Sequence, residues 1–216
     1  MPAGFAPLHA QCDSGQTRTH SVFKRGNNPN WAAFTVNISE IYADPSCRLD
    51  YKYWDSRVRA TLKDLAEKKA PTLASLSVEE IKRGKSPPLE AYVDEADGYA
   101  LVVKAGSNIS KFGDLVVRGD YIEKIVYEEM PDHRLKKGDI LLASTGTGTL
   151  GKCCVYRLDT PAIADGHVTI IRLDQAVVFP EYVCDYLRLG FGATQVQRLF
   201  TGSTGLIELR VRPQTL

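Results

Sequence analysis

The sequence predicts a mixed α/β protein: a twisted, mostly antiparallel β-sheet with flanking helices and a C-terminal helical hairpin. Three observations carry this. Short apolar runs of strand length at residues 99–103, 140–142 and 167–173 are bounded by Gly, Asp and Lys turn residues. Val58, Leu62, Leu65 and Ala66 recur at helical spacing ahead of Pro71. A second helical pattern begins at Pro180, is broken at Gly190 and Gly192, and resumes through Val196, Leu199 and Phe200.

Composition bounds what such a protein can do. The chain has 216 residues, 44% apolar and 25% charged, enough for one substantial core or two small ones. With 27 basic and 26 acidic residues the net charge is +1, so nothing pulls the whole molecule toward nucleic acid or membrane. Any DNA binding must come from local placement of charge. The start, MPAGFAPLHAQCD, has no basic region followed by an apolar core, and no apolar stretch approaches a membrane span. A cytoplasmic location without membrane partners is expected. Five cysteines, two of them adjacent at Cys153-Cys154, suit reduced thiols rather than a disulfide framework. No C-x-x-C occurs, and His9, Cys12 and His20 are too loosely spaced for zinc, so neither metal nor cofactor is expected.

In chain order, residues 1 to 30 are rich in Gly, Asn, Pro, Gln and Thr and read as a loop or arm. Residues 1–55 as a whole are expected to be an N-terminal arm or extension, and residues 56–216 a separate domain. Alternation between Phe34 and Ile38 fits a strand. The segment from Arg48 to Trp54 is aromatic and charged. Stacking on bases is one reading, and packing of Tyr53 and Trp54 onto the next helix is the favoured one. That helix starts at Asp55 or Ser56, either of which can cap it. Ser77-Val78-Glu79-Glu80 has the form of a capping box, with Gly84 ending a short helical turn before Pro87-Pro88 force an extended loop. Lys82, Arg83 and Lys85 put three basic groups within four residues, suited to phosphates or simply to solvent.

Residues 99–103 (YALVV) read as a strand, residues 105–108 as a turn and residues 115–117 as another short strand, while residues 121–127 fit strand or helix. Ser107, Asn108, Lys111 and Arg118 lie near these strand ends. Their groups can read base edges or hold phosphates, although Asn and Ser are also the commonest turn formers.

Residues 135–173 form the central unit: strand, glycine-rich loop, strand, Asp165-Gly166 turn, strand. Gly146, Gly148 and Gly151 fit G-x-G-x-x-G, and residues 146–152 imitate the start of a phosphate-binding loop. Both mechanisms need a helix to open where the loop ends. Cys153, Cys154, Val155 and Tyr156 are poor helix formers, and Cys153 stands where magnesium would need a hydroxyl. The glycines are therefore expected to make a tight or bulged connection between paired strands. At the C-terminal end, Tyr182, Val183, Tyr186 and Leu187 are placed on or near the buried side of the first hairpin helix. Residues 201–205 end the second helix, and the last strand puts Ile207, Leu209 and Val211 on one face with Glu208, Arg210 and Arg212 on the other.

Six of these pieces, taken in order, resemble the target-recognition domain of the specificity subunit of type I restriction-modification systems. They are the glycine-proline loop from Glu80 to Pro87, the segment from Leu135 to Leu141, the loop from Ser144 to Gly151, the strand containing His167, the Pro180-Glu181-Tyr182 helix start, and Gln195 through Thr204. The resemblance covers about residues 60 to 213. It implies a mixed α/β domain that recognises half of a bipartite DNA site, without catalysis of its own. The implied partners are double-stranded DNA, a DNA adenine methyltransferase subunit and the restriction (translocase/nuclease) subunit. A complete specificity subunit is similar to two such domains joined by long helices, whereas one is present here, so the chain reads as an excised domain. The Arg48-Leu49-Asp50 segment weakly resembles what precedes such domains in fused methyltransferase-specificity proteins.

On this reading Lys82, Arg83, Lys85, Lys152 and Arg198 neutralise phosphates. Ser107, Asn108, Thr145, Thr147, Ser203 and Thr204 are candidate base or backbone contacts, with Lys111 and Arg118 beside them. Two other classes compete. A protein-assembly module would dock a partner on the helical hairpin through Tyr182 or Tyr186. An enzyme would use the residue 146–152 loop for a nucleotide, or His167 and Asp165 with Cys153 or Cys154 as nucleophile. The Asp/Asn-Pro-Pro-aromatic motif expected of an adenine methyltransferase is absent: the one Pro-Pro stands in Ser86-Pro87-Pro88-Leu89.

Overall fold

The computed structural model describes residues 19–21, 34–202 and 208–209. The chain divides into two compact units, Met1–Ser56 and Arg57–Leu216.

In the first unit, β1 (Thr19–Ser21) pairs antiparallel with β2 (Thr35–Asn37), and α1 (Ile38–Ala43) follows directly. The strand is therefore shorter than the alternation suggested, because Ile38 already begins the helix that buries Ile41. In α2 (Tyr51–Trp54) the Asp50 carboxylate accepts from the Tyr53 N–H and caps the turn. The Tyr53 hydroxyl donates to Asp44 at 2.6 Å and the Trp54 indole N–H to the Arg48 carbonyl at 2.6 Å. Both rings are buried, so neither is offered to a nucleic-acid base.

α3 (Ser56–Glu67), all but its first residue in the second unit, is followed by α4 (Leu73–Leu76), whose first turn Thr72 caps. Then come β3 (Lys82–Arg83), β4 (Tyr92–Val93), β5 (Ala100–Val103), β6 (Tyr121–Ile122), α5 (Lys124–Glu128), β7 (Ile140–Ala143), β8 (Cys153–Val155), β9 (Ala162–Ala164) and β10 (Val168–Ile171). α6 (Pro180–Arg188) and α7 (Gly190–Leu199) make the helical hairpin, and β11 (Phe200–Thr201) pairs with β12 (Glu208–Leu209). The fold is mixed α/β and mostly antiparallel, as the pattern of short strands and paired helices implied.

Its strands form two four-stranded sheets rather than one: β3-β10-β7-β8, antiparallel throughout, and β4-β6-β5-β9, in which β5 and β9 run parallel. The division comes from β9. Three small apolar residues between Pro161 and Asp165 are too short a run to show a period, and they pair with β5 instead of with β8 or β10. The core lies where the sheets meet, around Leu101, Val103, Leu141, Cys154, Tyr156 and Val168. Each such side chain contributes roughly 1.5–3 kcal/mol on full burial.

Several local expectations are corrected. No helical turn follows Ser77: that residue ends α4, and Lys82 and Arg83 pair with Ile170 and Thr169 as an edge strand. Residues 115–117 form no strand, only a single bridge between Ile109 and Leu115. Residues 121–127 supply both a strand and a helix, divided at Glu123. Gly190 begins α7, and Gly192 lies inside it, where a Cβ would stand 2.0 Å from the Tyr186 carbonyl oxygen. Tyr182 is 68% exposed, because Pro180, Val183, Cys184 and Leu187 form the buried stripe and Tyr182 projects from the other side of the helix. Of the last predicted strand, Glu208 and Leu209 are described; Ile207, Arg210, Val211 and Arg212 lie outside the described residues. No helix among the described residues is long and apolar enough to cross a membrane.

Candidate nucleic-acid interface

Strand direction in the second unit brings four loops to one end. β3 and β7 both run antiparallel to β10, so the segments that follow them lie beside the start of β10. β5 and β9 are parallel, with Val103 opposite Ala164, so the segment after β5 lies beside the turn joining β9 to β10. Backbone hydrogen bonds close the set: Gly84 N–H donates to Val168 O (2.8 Å), Lys85 N–H to Ala164 O (3.0 Å), Ser144 N–H to His167 O (3.0 Å) and Asp165 N–H to Val103 O (3.0 Å). Residues 84–86, 104–108, 144–151 and 165–167 thus form one contiguous rim. Gly84 makes this possible, since a Cβ there would stand 2.1 Å from the Ala164 carbonyl oxygen.

Side chains then lock the rim. The Asp165 carboxylate, 5% exposed, accepts from Ser86 Oγ at 2.9 Å and from the His167 N–H at 2.7 Å. Ser86 Oγ in turn accepts from the Gly166 N–H at 3.3 Å. Thr145 Oγ1 and His167 Nδ1 are 2.6 Å apart. The residue 144–151 loop joins antiparallel β7 and β8, with Gly146, Gly148 and Gly151 at φ of +90°, +82° and +84°. A strand follows the loop, so no helix N-terminus faces its backbone, and the phosphate-loop mechanism has no structural basis.

Lys82 is half-buried and Lys85 exposed, and neither has a carboxylate partner among the described residues. Both charges act on His133, which is hydrogen-bonded to the Arg83 backbone; burial lowers the His133 pKa, and the two lysines lower it further. Lys152 closes the glycine loop through its N–H to the Thr149 carbonyl, 3.0 Å, and also lacks a carboxylate partner among the described residues. Thr147 is exposed at the loop tip. A Cβ on Gly151 would meet Val196 at 3.6 Å, so this loop lies against α7, whose last turn carries Arg198.

Other expected contacts have different work. Arg83 Nη1 pairs with Glu208 at 2.6 Å and Nη2 reaches the Ser144 and Leu209 carbonyls at 3.4 Å, so this cation ties β12 to β3 and β7. Asn108 is 1% exposed. Its Oδ1 accepts from the Lys104 N–H and Ser107 Oγ, while its Nδ2 donates to the Val116 and Arg118 carbonyls. It braces the loop from inside and has no group left for DNA. Ser107 stays exposed at the rim, and Arg118 is exposed where that brace ends. Lys111 sits over the Phe112 ring at 4.9 Å, and its carbonyl lies 3.5 Å from Arg188 Nη1, apart from the converging loops. Ser203 and Thr204 lie outside the described residues. Sequence reasoning missed Ser86 and His133 and gave His167 only a catalytic reading; the Asp165-Gly166-His167 turn beside a strand was the signal for the last.

The proposed nucleophiles are withdrawn from chemistry. Cys153 and Cys154 are both 0% exposed. Burial pushes the Cys153 thiol well above its ordinary range and Cys154 up to about 12, so neither offers a thiolate near neutral pH. Among the described residues no group of three or more His, Cys, Asp or Glu side chains is placed to hold a metal ion. Away from the rim, an apolar groove of about 530 Å³ runs between α3, α4 and α6, lined by Leu62, Leu65, Leu73, Tyr182, Tyr186 and Gln195 among others.

No protein-family model matches the sequence, and no curated protein does. Among solved structures, the chain is similar to a protein of a type I R-M system studied for its complex assembly and conformational transition, at 15% identity and a TM-score of 0.39, covering 70% of this chain and 41% of that one. It is also similar to the HsdS subunit of Thermoanaerobacter tengcongensis, at 14% identity and a TM-score of 0.40, covering 85% of this chain and 53% of that one. The chain spans about half the length of the solved proteins it matches.

Proposed function

We propose that this chain binds double-stranded DNA sequence-specifically, reading one half of a bipartite site for a restriction-modification complex. The observation that supports it best is the rim, where four loops from two sheets present Lys85, Ser107, Thr145, Thr147 and His167 together, with Lys82 and Lys152 close behind and uncompensated by carboxylates among the described residues. Cations of this kind supply affinity through phosphates, and small hydroxyl groups on braced loops supply base-edge contacts. The near-zero net charge of the chain makes this local excess the source of any attraction to DNA. A DNA adenine methyltransferase subunit, and with it a restriction subunit, are the partners this role requires, and the chain itself carries out no chemistry.

The test is selection from a randomised duplex DNA pool at low and moderate salt. Enrichment of a short motif that survives added salt is expected, and retention without enrichment would leave only electrostatic attachment. The apolar groove favours protein assembly as a second role, with the methyltransferase subunit as occupant. Tyr182→Ala should then weaken association with that subunit in the absence of DNA while duplex binding persists.

A further inference from the structure

We infer that His167 is a direct DNA contact of this rim, presenting Nε2–H as a hydrogen-bond donor to an acceptor on the duplex. The inference rests on the reading of the rim as a DNA interface and assigns a donor within it.

His167 is exposed, yet both its backbone and its ring are hydrogen-bonded. Its N–H donates to Asp165 Oδ1 at 2.7 Å, and its carbonyl accepts from the Ser144 N–H at 3.0 Å and from Ser144 Oγ at 3.2 Å. Its ring is held at Nδ1 by Thr145 Oγ1, 2.6 Å away. Each restraint is itself restrained. Asp165 is fixed by Ser86 Oγ at 2.9 Å, and the Thr145 carbonyl accepts from Thr149 Oγ1 at 2.5 Å. An exposed side chain normally keeps its rotamer freedom, and ordering it costs free energy that the fold alone does not return. A donor ordered before the partner arrives loses less on binding, which is the use that explains the arrangement.

The hydrogen bond at Nδ1 also sets what the other nitrogen can do. With the Thr145 hydroxyl donating to Nδ1, the ring proton resides on Nε2, and this is the tautomer the inference assigns. Nε2 has no partner among the described residues. A fixed donor beside Lys85 matches the acceptors that duplex DNA presents: purine N7, guanine O6 and thymine O4 in the major groove, and phosphate oxygens along both strands.

The experiment repeats the pool selection with the full chain and with His167→Ala, His167→Gln and Thr145→Val, each checked for an unchanged thermal midpoint. If the acceptor is a base, His167→Ala loses preference at one position of the motif, by about tenfold for the favoured base. If it is a phosphate, the motif persists and affinity falls about tenfold for every sequence with a shallower salt dependence. His167→Gln, which keeps a donor near the same point, should recover part of either loss, and Thr145→Val should reproduce it in smaller measure. Unchanged affinity and motif for His167→Ala would overturn the inference while leaving DNA binding by the rim intact. A wild-type chain that neither enriches nor retains duplex would overturn both. Should the alanine variant fail to fold, duplex DNA should protect His167 of the wild-type chain from diethyl pyrocarbonate, and equal modification with and without DNA would contradict the contact.

Discussion

At His133 burial and two lysine charges act in the same direction, each disfavouring the imidazolium. Its Nδ1 is buried with no partner among the described residues, which suits a neutral ring. The folded pKa therefore lies below the ordinary 6.5, and the unfolded chain binds the proton first as pH falls. The contribution of His133 to stability should be fully present above about pH 7 and be lost as pH drops from 6.5 toward the folded value. Denaturant titrations across that window should show the slope, and His133→Asn should remove it; a wild-type slope of opposite sign would contradict the burial described. Residue roles of this kind are the least legible in sequence. Asn108 sits in a turn-forming stretch whether its carboxamide points out to a ligand or inward to Lys104, Val116 and Arg118, and the one-dimensional pattern is the same in both cases. Arg83 and Lys85 read alike as basic loop residues, and only the arrival of Glu208 from the far end of the chain separates them.

Among the elements, β5 and β7 are legible because each is a continuous apolar run, β10 because its apolar run is interrupted only by Thr169, and the α6–α7 hairpin because its apolar stripe repeats at helical spacing. β3 and β9 are not. Two and three residues carry no period, and each is a strand only because a partner strand lies beside it. What fixes β7 to β10 is also invisible locally: Asp139, 1% exposed at the head of β7, receives Arg172 from the end of β10 in a two-point ion pair at 2.7 Å through each nitrogen. Arg172 also reaches Glu79 at 2.6 Å, and the Lys136 N–H donates to Asp139 at 2.7 Å. Removing the buried carboxylate leaves Arg172 with the partly exposed Glu79 as its remaining counter-charge, so Asp139→Ala should cost about 3 kcal/mol in urea unfolding, the low end for breaking a buried pair. Asp139→Ala combined with Arg172→Met should recover much of that loss. Equal destabilisation by the double variant would show that packing, not charge, holds the strands.

For the molecule as a whole, function is a matter of which strand ends coincide. The parallel pairing of β5 with β9 joins segments some sixty residues apart, and it sets the residue 104–108 loop beside the Asp165 turn. Composition says only that any attraction to DNA must be local; topology puts Lys85 at the rim with Lys82 behind it in β3, and ties Arg83 to β12. In the proposed function these two lysines meet phosphates. The measurement that tests it most directly is the salt dependence of duplex DNA affinity for the wild-type chain and for Lys82→Gln/Lys85→Gln. Each lost phosphate contact reduces the slope of log affinity against log salt by about 0.9, so the double variant should be shallower by about 1.8. A weaker but equally steep dependence, or no change at all, would contradict the assignment of phosphates to this rim.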